Sequence, residues 1–175
     1  MNRRSFLATS AATSIAVFLP KNIIGQTLSS SPNGKLNHAC IGVGGMGGAD
    51  LSNIISHERT QIVAICDVDK DPLTKAAARI PGVRTYTDWR ELLAKEGDKI
   101  DSVNVSVPDH MHTIIAVNAM RAGKHVYCQK PLCHEMAECR LLRDTAGEKG
   151  VITQLAIQFS AGLGDRMTVQ MLKDN

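Results

Sequence analysis

Aromatic side chains are scarce in this sequence: one Trp, two Tyr and three Phe, 3% of its 175 residues. That scarcity removes the stacking platforms on which single-stranded nucleic acid is held. Net charge is only +3 and scattered, so no basic stripe for a phosphate backbone is present either. No apolar run makes a confident membrane span; the stretch from Ala8 to Leu19 is short and diluted by Ala, Ser and Thr. What remains is ordinary for a folded domain, with 43% hydrophobic and 21% charged residues. The core must therefore be aliphatic.

The first thirty residues differ in kind from the rest. Arg3-Arg4 followed by Phe6-Leu7 and a small-residue apolar run resembles an export signal of the twin-arginine type, although Asn2 and Ala8 depart from its usual residues. That resemblance implies a periplasmic or otherwise exported protein and the twin-arginine translocation machinery as a partner. An uncleaved anchor or an ordinary secretion signal is the alternative. Residues 31–35 read as polar linker. Of the five cysteines, none forms a Cys-x-x-Cys pair, and Cys40 and Cys66 lie in apolar strand-like runs where a small buried thiol is expected. An odd count in an exported chain invites a disulfide, with Cys128 and either Cys133 or Cys139 as candidates.

From Leu36 onward short β-rich runs alternate with helical patterns. "HACIGVG", "TQIVAICD", "VRTY", "KIDSVNVSVP", "HVYC" and "VITQLAIQF" are strand candidates, separated by five helical segments. Asp71 followed by Pro72 is expected to cap and open the second helix, and Asp88 with Glu91 to box the third. Gly123 and Gly150 are natural helix stops. Strands alternating with helices, without hairpin signals between them, predict an α/β fold: a doubly wound parallel sheet over residues 36–160.

Directly after the first strand stands "GVGGMG", residues 42 to 47, in the pattern G-x-G-x-x-G. In that context Gly42 permits a tight turn, Gly44 clears the approach of a pyrophosphate, and Gly47 lets helix and strand pack closely. Amides near Gly45 and Met46 would face phosphates at the positive end of the helix. Asp67 follows the second strand 20 residues after Gly47, where a carboxylate accepts from both ribose hydroxyls and repels a 2'-phosphate. NAD is therefore expected in preference to NADP. Asp69 could serve instead, or Asp67 could merely cap its turn.

Two later stretches, "SVPDHMHT" and "HVYCQKPLC", fall where the fourth and fifth strands end, on the ligand-binding edge of such a sheet. His112 is expected to project toward the cofactor, and Lys130 to stand beside the nicotinamide, followed by Pro131 in a candidate cis bond. A metal site on Asp109, His110 and His112 is a competing reading that the helical spacing disfavours. Together "IGVGGMGG", "VPDHMH" and "CQKPL" resemble, in order and spacing, the Gfo/Idh/MocA oxidoreductases, whose nucleotide domain carries a P-[ND]-x-x-H turn and an E-K-P turn. The resemblance implies a cofactor site that includes Pro108 and Gln129, with Lys130 approaching nicotinamide and substrate and His112 beside them. Gln129 stands where that family usually has glutamate, and Asp109 where it usually has asparagine.

The same resemblance implies hydride transfer between NAD and a carbinol carbon of a small, carbohydrate-like substrate. The alternatives are an NAD-dependent glycoside hydrolase of the same family or a non-catalytic nucleotide-binding fragment. Family members carry a second domain in which subunits usually meet, so a homo-oligomer is implied for a full-length form. Residues 161–175 read as the start of a helix leading into such a domain, which suggests a fragment.

Overall fold

The computed structural model describes residues 34–157 and 162–174; the expected export signal lies outside them. The chain divides at Gly34/Lys35, and the sheet belongs to the unit that begins at Lys35. Six strands form it: β1 (Leu36–Ile41), β2 (Thr60–Cys66), β3 (Arg84–Tyr86), β4 (Ser102–Val105), β5 (His125–Gln129) and β6 (Thr153–Ala156). Their spatial order is β3-β2-β1-β4-β5-β6, and every neighbouring pair is parallel. The helices are α1 (Gly45–Ile55), α2 (Lys70–Ala77), α3 (Trp89–Glu96), α4 (His112–Arg121), α5 (Met136–Lys149) and α6 (Leu163–Lys173).

Alternation along the strands divides the core into two layers. Ala39, Ile41, Val103, Val105 and Val126 turn to one face, where Trp89 and Leu92 of α3, Ile115 and Met120 of α4 and Leu142 of α5 cover them. Cys40 and Ile65 turn to the other and meet Leu51 of α1 and Leu73 and Ala76 of α2. Burial on both faces is what a parallel sheet demands, and it explains why these strands read as near-continuous apolar runs. Because the chain winds from β1 through β2 to β3 on one side and from β4 through β5 to β6 on the other, the strand order reverses between β1 and β4. The carboxyl ends of these two strands open a crevice there.

The caps correct two expectations. Helix α2 begins at Lys70 and is capped by Asp69, whose carboxylate accepts from the Asp71 amide at 2.9 Å, so Asp71 is inside the helix. Pro72 remains within the first turn, where a missing N–H costs nothing. At α3, Asp88 accepts from the Arg90 amide at 2.8 Å, but Glu91 pairs with Lys95 at 2.6 Å. The reciprocal capping box stands at α5 instead, between Glu135 and Glu138. The structure joins Cys133 to Cys139, and Cys128 is a buried free thiol in β5, which corrects the expected pairing.

Candidate functional site

A cleft of about 630 Å³ opens at the carboxyl edge of the sheet. Gly42, Gly44, Met46 and Gly47 line one side, Asp67 and Val68 one end, and Pro108, His112, Gln129 and Lys130 the other. All the residues expected to touch a cofactor, except Gly45, therefore border a single cavity; Gly45 begins α1 beside it. Met46, the second residue of α1, stands half exposed at the rim.

Two glycines of the loop are dictated by packing. Gly42 has φ +84°, and a Cβ there would run into the carbonyl of Ser106. A Cβ on Gly47 would strike the carbonyl of Gly42. The loop is thus pressed against the end of β4 on one side, and Gly42, Gly44 and Gly47 border the cleft on the other. Gly44, the N-cap of α1, has no side chain with which to cap the helix, and its own amide goes to Asp67, so the positive end of α1 faces the cleft without a capping side chain of its own.

Asp67 holds this loop in shape. Its Oδ2 accepts from the amides of Val43 and Gly44 at 2.9 and 3.2 Å, and its Oδ1 accepts from the Asp69 amide at 3.0 Å. A carboxylate has about four acceptor positions, so one remains on Oδ1 for a ribose hydroxyl. The sequence alternatives of ribose ligand and turn cap are therefore both accommodated by one group, and Asp69 is committed to capping α2. Val68 next to it is 85% exposed, an apolar side chain presented to the cleft rather than to the core.

At the opposite end the structure changes the picture for His112. Its ring is buried, and Nδ1 lies 2.6 Å from the Pro131 carbonyl oxygen. A carbonyl has no proton to give, so Nδ1 donates, and the buried Nε2 has no hydrogen-bond partner among the described residues. His112 thus braces the turn after β5, where Lys130-Pro131 is cis, rather than projecting freely toward the cofactor. Lys130 itself is exposed on the cleft wall. Among the described residues no group of three His, Cys, Asp or Glu side chains stands together as a metal ion would require.

One contributor was not anticipated from sequence. Asp50 of α1 is buried, and its Oδ2 accepts from Ser106 Oγ at 2.7 Å and from Gln129 Nε2 at 2.9 Å. Gln129 in turn accepts the Lys130 amide on Oε1 at 3.2 Å. The only sequence signal was a charged residue three positions after Gly47, on the side of the helix that Leu51 shares.

Fold and cleft together define a dinucleotide-binding domain. The family profile of the Gfo/Idh/MocA oxidoreductases, described as an NAD-binding Rossmann fold, matches residues 36–157. The chain belongs to that family. It is 36% identical over 129 residues to a glycosyl hydrolase family 109 protein of Solibacter usitatus, covering 68% of this chain and 29% of the relative. It is 28% identical over 95 residues to levoglucosan dehydrogenase of Pseudarthrobacter phenanthrenivorans, covering 54% and 24%. Among solved structures, GenD2 from gentamicin A biosynthesis, in complex with NAD, superposes with a TM-score of 0.72 at 28% identity, over 78% of this chain and 38% of that one. The chain spans about a third or less of the length of these curated relatives.

Proposed function

We propose that this chain is the NAD-binding part of a longer dehydrogenase that oxidises a carbinol carbon of a sugar, polyol or cyclic alcohol. The observation that carries the reading is the single cleft with the glycine-rich loop at Gly42 to Gly47 along it, Asp67 at one end and Lys130 at the other. Levoglucosan dehydrogenase supports the substrate class, and GenD2, solved in complex with NAD, supports the cofactor. Bound NAD supplies the hydride acceptor.

The chain's own residues divide the remaining tasks. The positive N-terminal end of α1 faces the pyrophosphate, Asp67 accepts from a ribose hydroxyl, and Val68 offers an apolar face to the adenine. Lys130 polarises the substrate hydroxyl or relays its proton to an acid-base residue in the longer protein; His112, fixed through Pro131, holds the turn that carries it. Asp67 also disfavours a 2'-phosphate by charge, which is why we assign NAD over NADP. The leader resemblance at Arg3-Arg4 supports export of the folded, cofactor-loaded protein through the twin-arginine route to the periplasm.

A second reading, NAD-dependent glycoside hydrolysis, is favoured by the 36% identity to a family 109 hydrolase. There the redox change is transient, and net release of an aglycone replaces net formation of NADH. Calorimetric titration of the purified chain with NADH and NADPH tests the cofactor assignment directly. Micromolar NADH binding with at least about tenfold weaker NADPH supports it; no heat with either overturns it. Incubation of the longer protein with a glycoside panel, following NADH and aglycone together, then separates the two reactions.

A further inference from the structure

Burying a carboxylate is costly unless a cation or several donors compensate it. Asp50 is 6% exposed, yet no salt bridge reaches it among the described residues. Its compensation comes from two neutral donors, the Ser106 hydroxyl and the Gln129 amide, both on Oδ2. The charge is felt nearby: after the larger effect of burial, Asp50 helps push the Cys40 thiol up to about 12, and it raises the Tyr127 phenol in the same way. Cys40 on β1 and Tyr127 on β5 are thus the titratable groups facing it through the sheet, and His38, His57 and His125 border the same hollow beneath α1. None of these supplies a positive partner within bonding distance.

The position of the three linked residues suggests what the arrangement does. Asp50 sits on α1, whose start forms the pyrophosphate loop; Ser106 follows β4, and Gln129 ends β5. One carboxylate oxygen therefore ties the loop helix to the ends of two strands, all at the carboxyl edge. An amide side chain has a donor end and an acceptor end, and a carboxylate can accept only from the donor end. Asp50 consequently fixes which way Gln129 faces: Nε2 toward α1, Oε1 toward the backbone N–H of Lys130.

We propose that Asp50 is a positioning residue for the cofactor cleft, setting the orientation of Gln129 and through it the placement of Lys130, and that residues 50 and 129 form a matched pair able to hold one carboxylate. The inference rests on the cofactor reading above, because it assigns Lys130 to the nicotinamide end. It also accounts for Gln129: a glutamate at that position would face the Asp50 carboxylate at hydrogen-bond distance, and the two could coexist only by sharing a proton.

Four proteins test the pair: the parent, Asp50→Asn, Gln129→Glu and the double variant, each titrated with NADH and with ADP-ribose, which lacks the nicotinamide. With two carboxylates opposed, Gln129→Glu is expected to weaken NADH by about tenfold at pH 8 while ADP-ribose stays within about twofold. Acidification to pH 6 should restore part of the NADH affinity, since a shared proton relieves the repulsion. The double variant, with one carboxylate again, should return NADH to within about threefold of the parent and lose that pH response.

An equal loss for both ligands would reduce Asp50 to a general structural tie and overturn the proposal, as would a double variant whose loss is the sum of the single ones. If the parent binds neither ligand, the cofactor reading fails. The pair is then judged by urea midpoints, where recovery of at least half the Gln129→Glu loss in the double variant supports it and no recovery overturns it. Should Gln129→Glu alone not fold, folding of the double variant supports the match, and its failure to fold defeats it.

Discussion

Asp67 carries two tasks on one carboxylate, and replacing it should expose both. Asp67→Ala leaves the amides of Val43 and Gly44 without their acceptor, and an unsatisfied donor costs about 1–3 kcal/mol when shielded from water. The expected result is a lower urea midpoint in the absence of cofactor together with NADH binding weakened by about tenfold or more. A variant that loses affinity but keeps the parent's midpoint would show that the loop does not depend on the side chain. His38 gives a pH prediction. Burial lowers its pKa from 6.5 to about 4, and Nδ1 pairs with Ser102 Oγ at 2.6 Å. The unfolded chain takes up a proton below pH 6.5 that the fold refuses until about 4, so stability is fully present above 6.5 and falls across that window. At about 1.4 kcal/mol for each pH unit, the fall amounts to about 3 kcal/mol. His38→Gln should flatten this part of the curve, measured as the urea midpoint at pH 7 and pH 4.5.

Elements meet through a few buried polar groups, and Glu96 is the clearest. It lies at the end of α3, 1% exposed, and accepts from Arg84 of β3 at 2.6 Å and from the Tyr86 hydroxyl. Burial pushes its pKa up, but the hydrogen bonds from Arg84 and Tyr86 and the charge of Arg84 outweigh this and hold it at about 2. Stability from this junction is present above pH 4.5 and is lost as pH falls toward 2, a window that overlaps the one in which His38 acts only between about 4 and 4.5. Glu96→Gln should therefore lower the urea midpoint at pH 7 but narrow its difference from the parent at pH 3. The same junction marks the boundary of what the sequence discloses. The succession of strands and helices, the glycine loop, Asp67 and the position of Lys130 were legible because each rests on local pattern: period, turn chemistry, a fixed offset from a strand end. Adjacent candidates blurred the caps, as with Asp69 and Asp71, since either can accept from an amide two residues on. Asp50 and the seat of His112 were not legible. Asp50 meets Ser106 and Gln129 across 56 and 79 residues, and His112 meets Pro131 across 19, so those contacts exist only once β4 and β5 lie side by side.

At the scale of the molecule, cofactor binding and folding are linked, because the cleft is assembled from the ends of β1, β2, β4 and β5 and vanishes when the sheet opens. A ligand that binds only the folded form adds about 2.7 kcal/mol at a concentration 100 times its Kd. For a chain of this size that raises the melting temperature by about 5–10 °C. NADH should produce such a shift. NADPH at the same concentration should produce less than about half of it, because its 2'-phosphate meets the Asp67 carboxylate, which has no cation bonded to it among the described residues. Lys130→Ala distinguishes the enzyme from a bare nucleotide-binding module only in the longer protein. In this chain the NADH shift should persist at about half its size, since Lys130 is exposed and its loss leaves the fold intact while costing the nicotinamide end about tenfold in affinity. In the longer protein the same substitution should abolish turnover while leaving that shift in place. Turnover that survives Lys130→Ala would remove Lys130 from the chemistry and leave the cleft a binding site alone.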